Sequence, residues 1–159
     1  MRVWKQILAS IGYAIEGMTY AILTQRNMRI HLGITLLVMI LALLLDVTKI
    51  EMILLFFAIV LVIAAELINT AIEAVVDLMV VRYHRLAKIA KDVAAAAVLL
   101  TALHAVVVGI LVFYDKLFPL RLRNFHHLES YAIVLSFLYL GICFVLTFGY
   151  LAIKKARHR

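Results

Sequence analysis

The run from Met52 to Val81 is almost wholly apolar, yet it carries Glu66, Asn69, Glu73 and Asp77. Thirty residues of helix cover about 45 Å, against roughly 30 Å for the hydrocarbon core of a bilayer. A segment this long and this apolar is expected to cross a membrane, where a buried ionisable side chain costs several kcal/mol, roughly, unless it faces protein or water. The four polar residues are separated by steps of 3, 4 and 4. At about 100° per residue, Asn69, Glu73 and Asp77 sit near −60°, −20° and +20° from Glu66, so all four share one stripe about 80° wide. Counted from Met52, Glu66 lies about 21 Å along the axis and Glu73 about 31 Å. The acids form a ladder from the apolar slab towards water. A lone polar residue in such a helix commonly bonds a neighbouring helix. Three carboxylates in register suit that role poorly, because acceptors repel each other and need cations, protons or a donor-rich ligand.

The rest of the chain agrees with a membrane setting. Its 159 residues are 67% hydrophobic with a mean hydropathy of +1.09, against roughly 45–50% apolar for a soluble domain. The single cysteine, Cys143, excludes an internal disulfide framework and reads as a packing residue. A net charge of +7 reports loop sidedness in a membrane protein rather than a nucleic-acid partner.

The predicted fold is an all-α integral membrane protein. Residues 2–24 place Trp4, Ile7, Leu8, Ile11, Ile15, Met18 and Ile22 at steps of 3 and 4, an amphipathic helix suited to the membrane surface. A polar turn, Thr24 to His31, precedes a span over about 28–45. A tight turn, Asp46 to Glu51, leads into the second span, 52–81. The basic stretch Arg82 to Asp92 is read as a loop, followed by a third span over 93–117. Ala90, Ala94, Ala97, Thr101 and Ala105 offer a small-residue packing seam on it, and His104 reads as a packed histidine. Residues 1–118 thus form one membrane domain. Residues 119–159 form an extension with an additional fourth transmembrane helix over about 131–153 and a basic tail. His126 and His127, adjacent and without further ligands, make a weak metal signal.

With the N-terminus inside, cytoplasmic segments carry 12 Lys and Arg residues and external segments carry 4, which favours that orientation. The acid ladder and the basic stretch then share the cytoplasmic side. Carboxylates can hold Mg²⁺ on phosphate oxygens, Lys and Arg offset phosphate charge, and a desolvated carboxylate can take the proton of a lipid hydroxyl. No Walker-type glycine loop or kinase catalytic loop is present. A proton or ion channel would use the same stripe as a pathway, but it needs acids continuing across the membrane, and they stop at Glu66.

The pattern Glu66-Leu-Ile-Asn69-Thr-Ala-Ile-Glu73-Ala-Val-Val-Asp77, with Tyr83-His84 and Ala90-Lys91-Asp92 behind it, resembles the bacterial membrane-embedded diacylglycerol kinase family. Asn27 and Arg29-Ile30-His31 look like its Gram-positive undecaprenol kinase branch. The resemblance covers about residues 5–117. It implies an ATP- and Mg²⁺-dependent lipid kinase of the cytoplasmic membrane, usually a homotrimer. The implied acceptor is undecaprenol, with diacylglycerol as the alternative. It also implies roles: Glu66 the general base, Asn69 an active-site amide, Asp77 a supporting carboxylate, and Glu73 a metal ligand. Arg82, Tyr83, His84, Lys91 and Asp92 would lie at the nucleotide, with Lys91 at its phosphates, and Gly12, Tyr13 and Gly17 on a surface helix closing over the ligands. Where the family has a second metal carboxylate, this chain has Gln25. An amide brings no negative charge, so Mg²⁺ affinity should fall. An inactive assembly partner is the corresponding alternative.

Overall fold

The computed structural model describes residues 2–79 and 82–118, which form four helices: α1 (Arg2–Thr24), α2 (Arg26–Leu44), α3 (Lys49–Met79) and α4 (Arg85–Leu117). The expected span over 131–153, the basic tail and His126-His127 lie outside the described residues. All four helices are long and apolar enough to cross a membrane, α1 included. The closest packing is between α3 and α4; α2 lies against α3, and α1 touches α2 and α3.

The polarity is inverted relative to a soluble bundle. On α3 the buried positions are Leu55, Ala58, Val62, Glu66, Asn69 and Thr70, one helical stripe that ends in polar residues. Large apolar side chains such as Ile53, Phe56, Phe57, Val60 and Ile68 point outward. Outward apolar and inward polar side chains are what a hydrocarbon solvent selects.

One end of the bundle is pinned. Ala42, Leu45, Val47, Leu55, Val112 and Phe113 form a buried apolar cluster where α2 ends, α3 begins and α4 ends. Thr48, just before α3, and Glu51 form a capping box: Glu51 Oε2 accepts from the Thr48 N–H at 2.7 Å and from its Oγ1 at 2.8 Å, and Thr48 Oγ1 accepts from the Glu51 N–H at 3.4 Å. The other oxygen of Glu51 pairs with Lys116 Nζ at 2.6 Å, tying the start of α3 to the end of α4 with side chains only 25% and 12% exposed.

Three sequence expectations need correction. The polar turn before α2 shrinks to Gln25 alone, extended at φ −94° and ψ 121°. Arg29 makes so short a break possible, because its Nη1 donates to the Leu23 carbonyl at 3.0 Å and satisfies the end of α1. The basic stretch expected as a loop is helical from Arg85 onward. Ala87 and Ala90 favour helix, and Lys88 pairs with Asp92 one turn on at 3.9 Å. On α4 the buried positions are Ala94, Val98, Val112 and Phe113. His104 falls off that face and is exposed, as are Ala90 and Ala97.

The pinned end yields a stability test. Lys116→Met removes the ion pair alone and should cost about 1–2 kcal/mol, between surface and buried pairs. Glu51→Ala removes the pair and half of the capping box, for about 1 kcal/mol more. Unfolding of the purified protein in mixed micelles with increasing dodecyl sulfate should rank parent, Lys116→Met and Glu51→Ala in falling order.

Candidate active site between the polar ends of α2, α3 and α4

The acid stripe assembles as its spacing predicts, and its members take up different surroundings. Glu66 is 1% exposed, Asn69 is buried, Glu73 is half-buried and Asp77 is exposed. Burial falls residue by residue towards the end of α3, so the ladder runs from protein interior to solvent.

Glu73 is the hub. Its Oε2 accepts from Gln25 Nε2 at 3.2 Å and its Oε1 from Asn69 Nδ2 at 3.1 Å. Gln25 precedes α2 yet makes no side-chain cap on it. Its amide serves the carboxylate instead. Asn69 sits one turn before Glu73, so the intrahelical bond follows from spacing alone. Next towards solvent, Asp77 Oδ1 accepts from Lys91 Nζ at 2.5 Å, joining α3 to the first turns of α4. Thr70 is satisfied within α3, its hydroxyl donating to the Glu66 carbonyl at 2.8 Å.

Glu66 differs from all of these. Both carboxylate oxygens, together with Asn69 Oδ1, are buried and have no hydrogen-bond partner among the described residues. Unsatisfied buried acceptors cost about 1–3 kcal/mol each, more when charged, and such groups call for a ligand, a proton or a cation. They open on a cavity of about 290 Å³ lined by Asn27, Ile30 and His31 of α2, Glu66, Asn69 and Glu73 of α3, and Ala95, Val98, Leu99 and Ala102 of α4. A second cavity of about 280 Å³ shares His31 and Ala102 with the first and runs towards the pinned end between apolar side chains, from Val38 and Leu41 to Leu55 and Phe113. The chamber that holds the acids therefore adjoins an apolar groove at His31 and Ala102.

Of the residues expected at the site, the structure brings together Gln25, Glu66, Asn69 and Glu73, with Asp77 and Lys91 paired on the solvent side. Asp92 is paired with Lys88. Tyr13, Gly17, Arg82, Tyr83 and His84 are exposed and line neither cavity. A Cβ added at Gly12 or Gly17 would meet nothing within 4 Å. Asn27 and His31, which enter the family resemblance only as part of its branch pattern, also line the first cavity. Their spacing of four on α2, directly after Gln25, was the signal that they share a face.

The donor set suits a divalent cation with phosphate ligands. Mg²⁺ takes one or two protein carboxylates and fills its remaining positions with phosphate and water oxygens. Glu73 with Gln25 beside it, and the orphaned oxygens of Glu66 and Asn69, are oxygen donors of that kind. No cluster of three or more acidic, histidine or cysteine side chains occurs among the described residues, so a metal here would depend on ligand oxygens.

Residues 12–113 match the family model described as prokaryotic diacylglycerol kinase. A diacylglycerol kinase of Synechocystis is 50% identical over 109 residues, covering 68% of this chain and 62% of that protein. The undecaprenol kinase of Bacillus subtilis is 38% identical over 108 residues, 68% of this chain and 88% of the relative. The diacylglycerol kinase of Escherichia coli K12 is 37% identical over 102 residues, 64% and 84% respectively. The match extends from α1, through the stripe and the cavity-lining segments, almost to the end of α4, and the chain belongs to the prokaryotic diacylglycerol kinase family.

Proposed function

We propose that this protein is a lipid kinase, transferring the γ-phosphoryl group of ATP to the hydroxyl of a membrane lipid alcohol. The observation that carries the reading is the pair of buried, unpartnered Glu66 oxygens at the head of an apolar groove. An acceptor with a hydrocarbon tail in the groove presents its hydroxyl to a carboxylate that has no other partner. A channel reading gains no support, because the path beyond Glu66 is lined almost entirely by apolar side chains.

The chemistry follows from the order of groups along α3. The acceptor oxygen attacks the γ-phosphorus, its proton passes to Glu66, and the bond from that phosphorus to the β–γ bridging oxygen breaks, releasing ADP. Glu73 lies about 10 Å further along the axis, on the side where the phosphates enter. Glu73 and Gln25 would hold Mg²⁺, which when bound offsets charge on the phosphate oxygens. Asn69 orients Glu73, and Asp77 holds Lys91 at the solvent edge, where it can meet phosphate charge.

Within one chain the nucleotide end of this site is incomplete, since Tyr13, Gly17, Arg82, Tyr83 and His84 line neither of the two cavities described. The homotrimer that the family resemblance implies would supply such groups from a neighbouring copy. We place the site on the cytoplasmic side of the cytoplasmic membrane, with α1 on the surface, from the distribution of Lys and Arg. The acceptor is undecaprenol on the Asn27 and Arg29-Ile30-His31 pattern, with diacylglycerol as the second candidate because the 50%-identical relative bears that name.

Purified protein in bilayer nanodiscs should transfer labelled phosphate from ATP to undecaprenol. Glu66→Gln should lower that rate by about 10²–10⁴-fold while ATP affinity holds. Transfer at the parental rate would remove the proposed base. Gln25→Glu sets two carboxylates against each other where an N–H now stands, so a bridging cation becomes favourable. Half-maximal activity should come at lower Mg²⁺, and melting in chelator should fall and recover when Mg²⁺ is added. Gly109 lines the groove, and a Cβ there meets nothing within 4 Å. Gly109→Leu should therefore fold normally, yet raise KM for a long-chain acceptor severalfold and leave KM for ATP unchanged. Equal effects on both substrates would show that the groove does not take the tail.

A further inference from the structure

The polar chamber and the apolar groove meet at two residues, His31 and Ala102. Ala102 has no polar side-chain atom. His31 is thus the single polar side chain bordering both spaces. The groove's other polar lining residue, Thr35, lies a turn further from the chamber and borders the groove alone. His31 is half-buried and makes no hydrogen bond with another described residue. The same chamber is lined by Glu66, whose two oxygens are acceptors with no donor.

These positions constrain an alcohol strongly. Its hydrocarbon chain is best served by the apolar groove, which excludes a phosphate donor, while the polar partners for its hydroxyl, Asn27, His31, Glu66, Asn69 and Glu73, line the chamber. The hydroxyl oxygen must therefore sit at the junction. A hydroxyl offers one proton and two lone pairs. Glu66 can take the proton but cannot satisfy a lone pair, whereas an imidazole N–H can. We propose that His31 is an acceptor-positioning residue, which donates its ring N–H to the hydroxyl oxygen of the lipid alcohol and aims the O–H proton at Glu66. This rests on the kinase reading above. His31 keeps its own proton throughout: the hydroxyl proton goes to Glu66, the oxygen bonds to phosphorus, and ADP leaves with the bridging oxygen's electron pair.

The contact is separable from turnover by measuring binding without ATP. Labelled farnesol is bound to the full-length protein in nanodiscs, with farnesyl methyl ether and the saturated hydrocarbon farnesane as competitors. The ether keeps the lone pairs and the hydrocarbon has none. His31→Ala should weaken farnesol and the ether by about three- to tenfold, the range of one hydrogen bond, and leave farnesane unchanged. His31→Gln, which retains an N–H donor, should restore most of the loss. In turnover, KM for the alcohol should rise in His31→Ala while KM for ATP stays constant. Repeating the binding with 1,2-dioctanoylglycerol distinguishes the two acceptor chemistries; dependence on His31 with either alcohol supports the proposal. Equal weakening of farnesane would reduce His31 to packing, and unchanged affinity for both alcohols would overturn the assignment. A parent protein that binds these alcohols but transfers no phosphate defeats the kinase reading alone, since the binding arms still report on His31.

Discussion

The structure depends on one constraint: a carboxylate held 1% exposed in a helix whose outer faces are hydrocarbon-like. A hydrocarbon solvent offers nothing to a polar group, so Glu66, Asn69 and Thr70 must turn towards α2 and α4 while Ile53, Phe56 and Val60 turn out. That single choice sets the rotation of α3 about its axis. Once it is set, Leu55, Ala58 and Val62 follow as the inward positions, because they share the stripe. Apolar packing does not decide this orientation, since lipid tails are as good a partner for leucine as another leucine is.

The two ends of the bundle then serve different ends. The apolar cluster around Val112 and Phe113, with the Glu51–Lys116 pair and the capping box, fastens α2, α3 and α4 at one end. Along α4, Ala95 borders the chamber, Ala102 at mid-helix borders both cavities, and Ala105 and Gly109 border the groove towards the pinned end. Small residues at a helix interface usually let backbones close up. Here they border open volume, because the walls are fixed from the far end and by the Lys91–Asp77 tie. A chamber that holds carboxylates and adjoins an apolar groove suits a polar group carried on a hydrocarbon tail.

Much of this was legible in the residues, for physical reasons that also mark where legibility stopped. The stripe of Glu66, Asn69, Glu73 and Asp77 was readable because helical angle depends only on spacing, and burial within a bilayer restricts polar groups to one side. The start of α4 is hidden because charge density in Arg82–Asp92 resembles that of a loop, whereas Lys88 and Asp92 stabilise the helix locally. The position of His104 depended on which face of α4 meets α3, a tertiary fact that an alanine-rich helix with similar faces does not disclose. Gln25 was visible as an amide where a carboxylate was expected. Its donation to Glu73, 48 positions away, was not, because nothing local brings the two together.

The allocation of donors near Glu73 explains how two carboxylates on one helix take different parts. Asn69 lies three residues after Glu66 and four before Glu73, so its one side chain is in reach of either. It donates to Glu73, as does Gln25, and neither donates to Glu66. The outer carboxylate thereby accepts two N–H groups, one on each oxygen. The inner one has no partner on either oxygen, the property on which the proposed role of Glu66 as proton acceptor rests. Pairs of titratable groups with diverging surroundings are how a site assigns one to charge and the other to proton transfer. Here the difference is made by two amides, and the deeper carboxylate's lack of a partner is what leaves it available to a substrate.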